Sequence, residues 1–434
     1  MRAVRTSLAL AASLGATLGA AAATSYSGYK VFRLSASTAG SAEVEDIISS
    51  LGLATWENSL GRTGVVDVVV APHQLSAFES RVTVAESSDI TTRAPEIIAE
   101  VMHEDLGASI DVEGNFAEVE GKKPTVDDTW FDSYHAYDDH LAFLDDLVST
   151  YDNMSEIVTS GESIEGRNIT GIHFWGAEGP GKPAVVFHST VHAREWITTM
   201  VNEYMAYTLL TEYGSDADIT GFVDAYDFYI FPVVNPDGFV YTQTSDRMWR
   251  KNRQEASNNR CLGRDINRNW PYVWDVPGGS STDPCSETYR GEEEGDTPEV
   301  QGLFGLLDDL ASTDGLKLYM DWHSYSQLFM YPYGYSCDAE FPNSSEMGTL
   351  SRGFTQSLEA VYGTQYEYGP ICNTIYQVSG GSVDYVGDVS GADYSFTAEL
   401  RDTGRYGFVL PPDQIMPTCV ETWAGINYLL QNIK

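Results

Sequence analysis

Two histidines, an arginine and a glutamate crowd the stretch HSTVHAREWITT, residues 188–199, directly after the apolar run PAVVF at 183–187. His192 and Glu195 stand three positions apart, where a strand-like pattern gives way to a helical one. Metal-dependent hydrolases take three protein ligands from His and Glu or Asp and leave a fourth position for water. One rigid corner can supply two ligands, and a distant residue completes the set. His323, in DWHSYSQ, ends another strand-like run among aromatics, far downstream of Glu195. His188 competes for the same role, but in an extended segment its ring does not converge with that of His192. An H-x-x-E pair by itself suits a structural His–Glu contact as well as a metal site.

These groups need elements to carry them. VVFHS (185–189), DFYIFPVV (227–234), LKLYMDWHS (316–324) and SFTAEL (395–400) have the composition of strands. EWITTMVNEYMAYTLLTEYG (195–214) has helical apolar spacing and ends in Gly214. TPEVQGLFGLLDDLA (297–311) opens with Thr-Pro, a helix start, and an amphipathic helix near 412–433 closes the chain. Strands interleaved with helices predict an α/β domain, a central sheet flanked by helices on both faces. Ligand sites in such domains lie beyond the strand ends. A smaller unit precedes it, from residue 24 to about 110. YKVFRL (29–34) and VVDVVVA (65–71) read as its strands, EVEDIISSLG (43–52) and HQLSAFESRV (73–82) as its helices. The polar, acidic stretch that follows runs to Lys122, Lys123 and Pro124 and reads as a linker and processing site.

The chain of 434 residues carries a net charge of −38, which repels nucleic acid and anionic lipid and makes neither an expected partner. Arg2 and Arg5, an Ala/Leu run and small residues at Ala21 to Ala23 read as a cleaved secretory signal over 1–23. No later stretch reaches the roughly 20 apolar residues of a membrane helix. A secreted, extracellular protein is expected, and a monomer. Asn153-Met-Ser, Asn168-Ile-Thr and Asn343-Ser-Ser are sequons. Five cysteines (Cys261, Cys285, Cys337, Cys372 and Cys419) leave one unpaired, and none lies in a C-x-x-C pair. Disulfides suit the secretory reading.

Six further motifs follow HAREWIT in order: RMWRKNR (247–253), GRDINRNW (263–270), SETYRG (286–291), HSYSQ (323–327), TIYQVSGGS (374–382) and ELRDTGRYGF (399–408). Together they resemble the zinc metallocarboxypeptidases of the pancreatic carboxypeptidase A/B type, over roughly 125–434. The first 124 residues resemble that family's secreted precursor. The resemblance implies a mixed sheet flanked by helices, preceded by a small α+β, ferredoxin-like prodomain. Its boundaries here are a signal at 1–23, an activation propeptide and linker at 24–122, and a catalytic domain at 123–434. It implies His192, Glu195 and His323 as ligands of one Zn2+, with Asp265 orienting a ligand histidine. Glu399 corresponds to the general base that activates the attacking water, and Arg250 to the stabiliser of the oxyanion. Arg247 is the alternative that the bare spacing leaves open. Asn267, Arg268 and Tyr376 correspond to a clamp for the substrate's terminal carboxylate, and Arg194 to an auxiliary substrate-binding arginine. Cys261–Cys285 and Cys337–Cys372 match disulfides of the family, leaving Cys419 as a buried free thiol.

Val383 takes the position that carries an acid in members cleaving basic residues, and Met330, Gly334, Ile371 and Thr397 beside it are uncharged. An unpaired cation in such a pocket is costly, so aromatic or bulky aliphatic C-terminal residues are the expected substrates. Asp384 is adjacent, and a register shift of one would reverse this expectation. The resemblance departs at Ala398, where an aromatic is common, and at Lys123-Pro124, a bond that resists trypsin-like cleavage. Expected partners are peptide and protein C-termini, the chain's own propeptide as intramolecular inhibitor, and an activating protease. Two other readings are an inactive zinc-binding homologue and a zinc hydrolase of another acyl-amino-acid substrate. The intact Glu399, Arg250 and clamp argue against both.

Overall fold

The computed structural model describes residues 23–37, 40–84, 97–114, 127–257 and 261–434. The expected signal up to residue 22 and the Lys122-Lys123-Pro124 stretch lie outside them. In the N-terminal unit, β1 (Lys30–Ala36), β2 (Ala54–Ser59), β3 (Val65–Val70), β4 (Thr83–Val84) and β5 (Ile97–His103) form one sheet in the order β2-β3-β1-β5-β4. Two interlocked β-α-β units give the four longer strands the ferredoxin-like arrangement. Strand side chains alternate between faces, and both faces here are used. Val66, Val68 and Val70 pack with Val44 and Ile47 of the helix Ser41–Leu51. Val31, Trp56 and Val69 pack instead against Met248, Tyr325 and Phe408 of the larger domain. Strand β5 and the helix Leu106–Glu113 occupy residues that the sequence alone assigns to no element.

The larger domain holds β6 (Ser155–Glu162), β7 (Asn168–Phe174), β8 (Ala184–Ser189), β9 (Asp227–Phe231), β10 (Leu316–His323), β11 (Leu328–Tyr331), β12 (Glu367–Pro370) and β13 (Tyr394–Glu399). Their order is β12-β11-β13-β10-β8-β9-β7-β6, and both pairing directions occur. Every residue of β8 is buried, because parallel β9 and β10 flank it and helices cover both faces. This is why its first four residues, AVVF, are a continuous apolar run rather than an alternating one. One face packs on the helices Trp196–Thr211, Ser344–Tyr362 and Ile415–Asn432, the other on Pro298–Thr313. Strand β9 stops at Phe231, earlier than expected, since Pro232 has no N–H for the ladder. Strands β8, β10 and β13 run parallel, with His323 beside Glu399 and Trp322 beside Ser189. Their carboxyl ends therefore open on one edge of the sheet, and the candidate chemistry gathers there.

Candidate active site

The corner begins where β8 ends. Thr190 has φ 57°, a left-handed conformation that a β-branched residue takes only when held there. Its N–H donates to Thr198 Oγ1 (3.1 Å) and its hydroxyl to the Pro232 carbonyl (2.8 Å). The chain turns back at once, and Glu195 lands at the start of the helix Trp196–Thr211. His192 Nδ1 and Glu195 Oε1 are 2.8 Å apart. His323 Nδ1, from the end of β10, lies 3.0 Å from His192 Nδ1 and 3.1 Å from Glu195 Oε2. All three side chains are buried. His188 stays between the strands, with Nδ1 3.3 Å from the Tyr319 hydroxyl, and does not join them.

Each ring also has an outer carboxylate partner. His192 Nε2 lies 3.2 Å from Asp265 Oδ1, and His323 Nε2 lies 3.2 Å from Asp321 Oδ2. An ionised carboxylate only accepts, so each Nε2 can donate its proton outward, and each Nδ1 is then free to present a lone pair to a metal held between the rings and Glu195. One ligand atom from each of His192, Glu195 and His323 lies within 4.8 Å of the other two. With no proton between them these atoms repel, and a cation among them relieves that. Two imidazoles and one carboxylate are a donor set suited to a catalytic zinc with an open position. The residues fit the metal.

Arg250 reaches the same place from the opposite wall. Its Nε and Nη2 donate to Asp265 Oδ2 at 3.2 and 2.9 Å, and Nη1 lies 3.9 Å from Glu195 Oε1. Burial alone would raise the pKa of Asp265, but the Arg250 guanidinium and His192 hold it well below the usual carboxylate range. Arg247 is engaged elsewhere. Its Nε and Nη2 grip both oxygens of Glu113, from the N-terminal domain, at 2.6 and 2.7 Å. Its other bonds go to the carbonyls of Arg194 and Phe408, and its plane lies 3.8 Å over the Trp196 ring. Of the two arginines, Arg250 lines the cleft and Arg247 does not.

That cleft has about 670 Å³ of empty volume. Asn267, Arg268, Tyr376, Val383 and Glu399 line it with the three metal-site residues. Arg268 Nη1 donates to the Asn267 carbonyl (2.9 Å), and its buried Nε has no hydrogen-bond partner. Arg194 borders a neighbouring hollow shared with Arg250, Arg268 and Tyr376, and stacks 4.1 Å over Phe408. Met330, Gly334, Ile371 and Thr397 form the floor with Val383. Asp384 also reaches this floor, but its two oxygens accept the backbone N–H groups of Gly334 and Tyr335 at 2.9 to 3.0 Å. Burial pushes its pKa up to about 7 against those hydrogen bonds.

The N-terminal domain covers the cleft. Trp56 of β2 lines it and packs edge-on against Tyr325 and Phe408. The buried Asp67 is paired with Arg33 at 2.7 Å and accepts the Tyr325 hydroxyl. His103 lies 2.9 Å from the Tyr406 carbonyl. None of Trp56, Asp67, Glu113 or Asp321 stands out in the sequence. Asp321 alone had a readable signal, since residues two apart on a strand share a face. Cys261–Cys285 and Cys337–Cys372 are both bridged, and Cys419 is free and buried, as expected. No helix among the described residues is long and apolar enough to cross a membrane.

Comparison with known proteins identifies the family. A family described as zinc carboxypeptidase matches residues 140–425. The chain is 49% identical to a metallocarboxypeptidase A of Trichophyton rubrum over 429 residues, covering 98% of each chain. It is 40% identical to carboxypeptidase A2 of Mus musculus over 304 residues, 70% of this chain and 71% of the relative. Among solved structures, thrombin activatable fibrinolysis inhibitor superposes with a TM-score of 0.83 at 27% identity, covering 93% of this chain and 98% of its own. Carboxypeptidase A of Helicoverpa armigera gives 0.78 at 26% identity, covering 94% and 97%.

Proposed function

The chain belongs to the zinc carboxypeptidase family and is a metallocarboxypeptidase; from that premise we propose that it has A-type specificity, is secreted as a zymogen and removes aromatic or bulky aliphatic residues from peptide C-termini. The observation that carries the specificity is the cleft floor, where Val383 and its neighbours present no free charge and Asp384 is turned to backbone N–H groups. His192, Glu195 and His323 would hold the zinc. A zinc ion there supplies Lewis acidity, lowering the pKa of water and drawing electrons from a carbonyl oxygen.

The remaining work falls to side chains. Arg268, with Asn267 and Tyr376, binds the substrate's terminal carboxylate, which a planar guanidinium fork fits. An internal peptide carbonyl cannot satisfy that clamp, so cleavage is confined to the last bond. Arg194 adds a second cation along the substrate path. Arg250, fixed by Asp265, points a charge at the scissile oxygen, an interaction worth on the order of 3 kcal/mol when it strengthens in the transition state. Glu399 takes a proton from the attacking water and returns it to the departing amine. The N-terminal domain, 24–122, acts as the inhibitor. Trp56 fills the approach to the cleft while Glu113 and Asp67 tie the domain down. A signal at 1–23 and a cut in the linker near Lys122 and Lys123 complete the scheme, leaving 123–434 as the mature enzyme.

The test is release of Phe from an N-blocked dipeptide by processed protein, beside the same peptide ending in Lys. A chelator and a C-terminal amide run as controls. Fast Phe release, abolished by chelator and absent for the amide, is expected. Preference for Lys would overturn the role given to Val383. No release from either by zinc-loaded, processed protein would leave the inactive homologue in its place.

A further inference from the structure

The two metal-site histidines are backed unequally. Behind His192 stands Asp265, whose charge Arg250 neutralises through two hydrogen bonds and whose Oδ1 also accepts the Asn267 N–H at 3.0 Å. Behind His323 stands Asp321, wholly buried, with Oδ2 3.2 Å from His323 Nε2. No lysine or arginine among the described residues pairs with it. The Ser382 hydroxyl donates to the same Oδ2 at 2.6 Å, and Oδ1 has no partner. Asn267 Nδ2 also lies 3.2 Å from His323 Nε2, but its Oδ1 is occupied by the Ser382 N–H at 2.9 Å. The amide therefore turns its donor side to the ring. Among the described residues, Asp321 is the one acceptor beside that nitrogen.

We propose that Asp321 is a second outer carboxylate of the metal site, a positioning residue that fixes the His323 tautomer and adds an uncompensated negative charge behind the ligand. A carboxylate there makes Nδ1 a stronger donor and holds the ring on its target. A buried carboxylate with no cation of its own is costly, and a dication one imidazole away offsets that cost. Ser382 extends the connection. Its hydroxyl holds Asp321, its N–H holds Asn267, and Val383 of the pocket floor is the next residue. The stretch that shapes the specificity pocket is thus pinned to the support of a metal ligand.

This inference rests on His192, Glu195 and His323 being the zinc ligands, and the experiment separates the two. The full chain is stripped of metal, and zinc affinity is measured by competition with a chromophoric chelator, beside the thermal midpoint of each metal-free protein. The unaltered chain is expected to bind one zinc, and His323→Ala to lose it; if the unaltered chain binds none, the ligand assignment itself fails. Asp321→Asn keeps shape and an acceptor but removes the charge, and should weaken zinc about 10- to 100-fold with the metal-free midpoint little changed. Ser382→Ala should shift affinity the same way by a smaller factor. Asp321→Asn that is folded without metal and binds zinc within about twofold of the unaltered chain would make Asp321 a structural residue only. If Asp321→Asn does not fold, Ser382→Ala decides, and unchanged affinity there overturns the proposal.

Discussion

At the corner ending β8, a left-handed Thr190, two carboxylate-backed histidines and an arginine–aspartate pair are all bonded within the larger domain. At the seam above it, Trp56, Asp67 and Glu113 are supplied by the other domain and meet the corner's neighbours rather than the corner itself. The two regions border one cleft but share few bonds. The corner is organised with the N-terminal domain in place, so the activation proposed above, which removes that domain, need not rebuild it. The cover depends on a handful of buried polar contacts, each costly to leave half-made. Preorganised donors and charges contribute most to catalysis when they do not have to move, and in the proposed scheme the part that leaves is the part that does no chemistry.

That contrast can be broken at several points. Glu399→Gln in the processed enzyme should lower kcat by about 10²- to 10⁴-fold with zinc content unchanged, as metal analysis beside steady-state kinetics would show. A comparable loss of zinc would mean the corner is less self-sufficient than described. Val383→Asp should reverse the preference from Phe toward Lys in paired dipeptide assays, because a buried carboxylate then meets the cation. Glu113→Gln in the uncleaved chain leaves the Arg247 fork without its ion-pair partner. A broken buried pair costs about 3 to 5 kcal/mol, and part of that should appear as a higher basal peptidase rate in the precursor. Processed enzyme, which lacks Glu113, sets the ceiling for that rate. An unchanged basal rate would place the closure in Trp56 and Asp67 instead.

The smallest effect concerns pH and the pocket floor. Burial raises the Asp384 pKa to about 7, so the folded chain holds this proton more tightly than the unfolded one. The contribution of Asp384 to stability is full below its unfolded pKa, near 4, and is lost as pH rises through about 7. Asp384→Asn should remove that slope. Urea unfolding of both proteins at acidic and neutral pH should show the variant gaining relative to the unaltered chain as pH rises.

Much of the fold was legible. Strands β8, β10 and β13 and the helices that follow β8 and precede β10 appear in the residue pattern to within a few positions. Runs buried on both faces have no choice but to be apolar. Strand β5 and the helix Leu106–Glu113 were missed because their flanks are polar and acidic, and their apolar residues face a partner distant in sequence. The ordered motifs located the site, since HAREW, DWH and ELR each sit at a strand's carboxyl end, where parallel pairing brings them together.

By itself, then, the sequence determined the chemistry on offer: which residue types stand at which strand ends, how many cysteines can pair, and how acidic the surface is. Tertiary structure alone decided which of two arginines one turn apart faces the cleft, because Glu113 takes Arg247 and Asp265 takes Arg250. It decided that Asp384 turns its oxygens to backbone N–H groups while Val383 lines the same cleft. It also set Asp321 behind one histidine and Asp265 behind the other. Each of these is a choice among partners remote in the chain, settled by burial, where a charge must find the nearest opposite charge or donor and local pattern carries no record of which one that is.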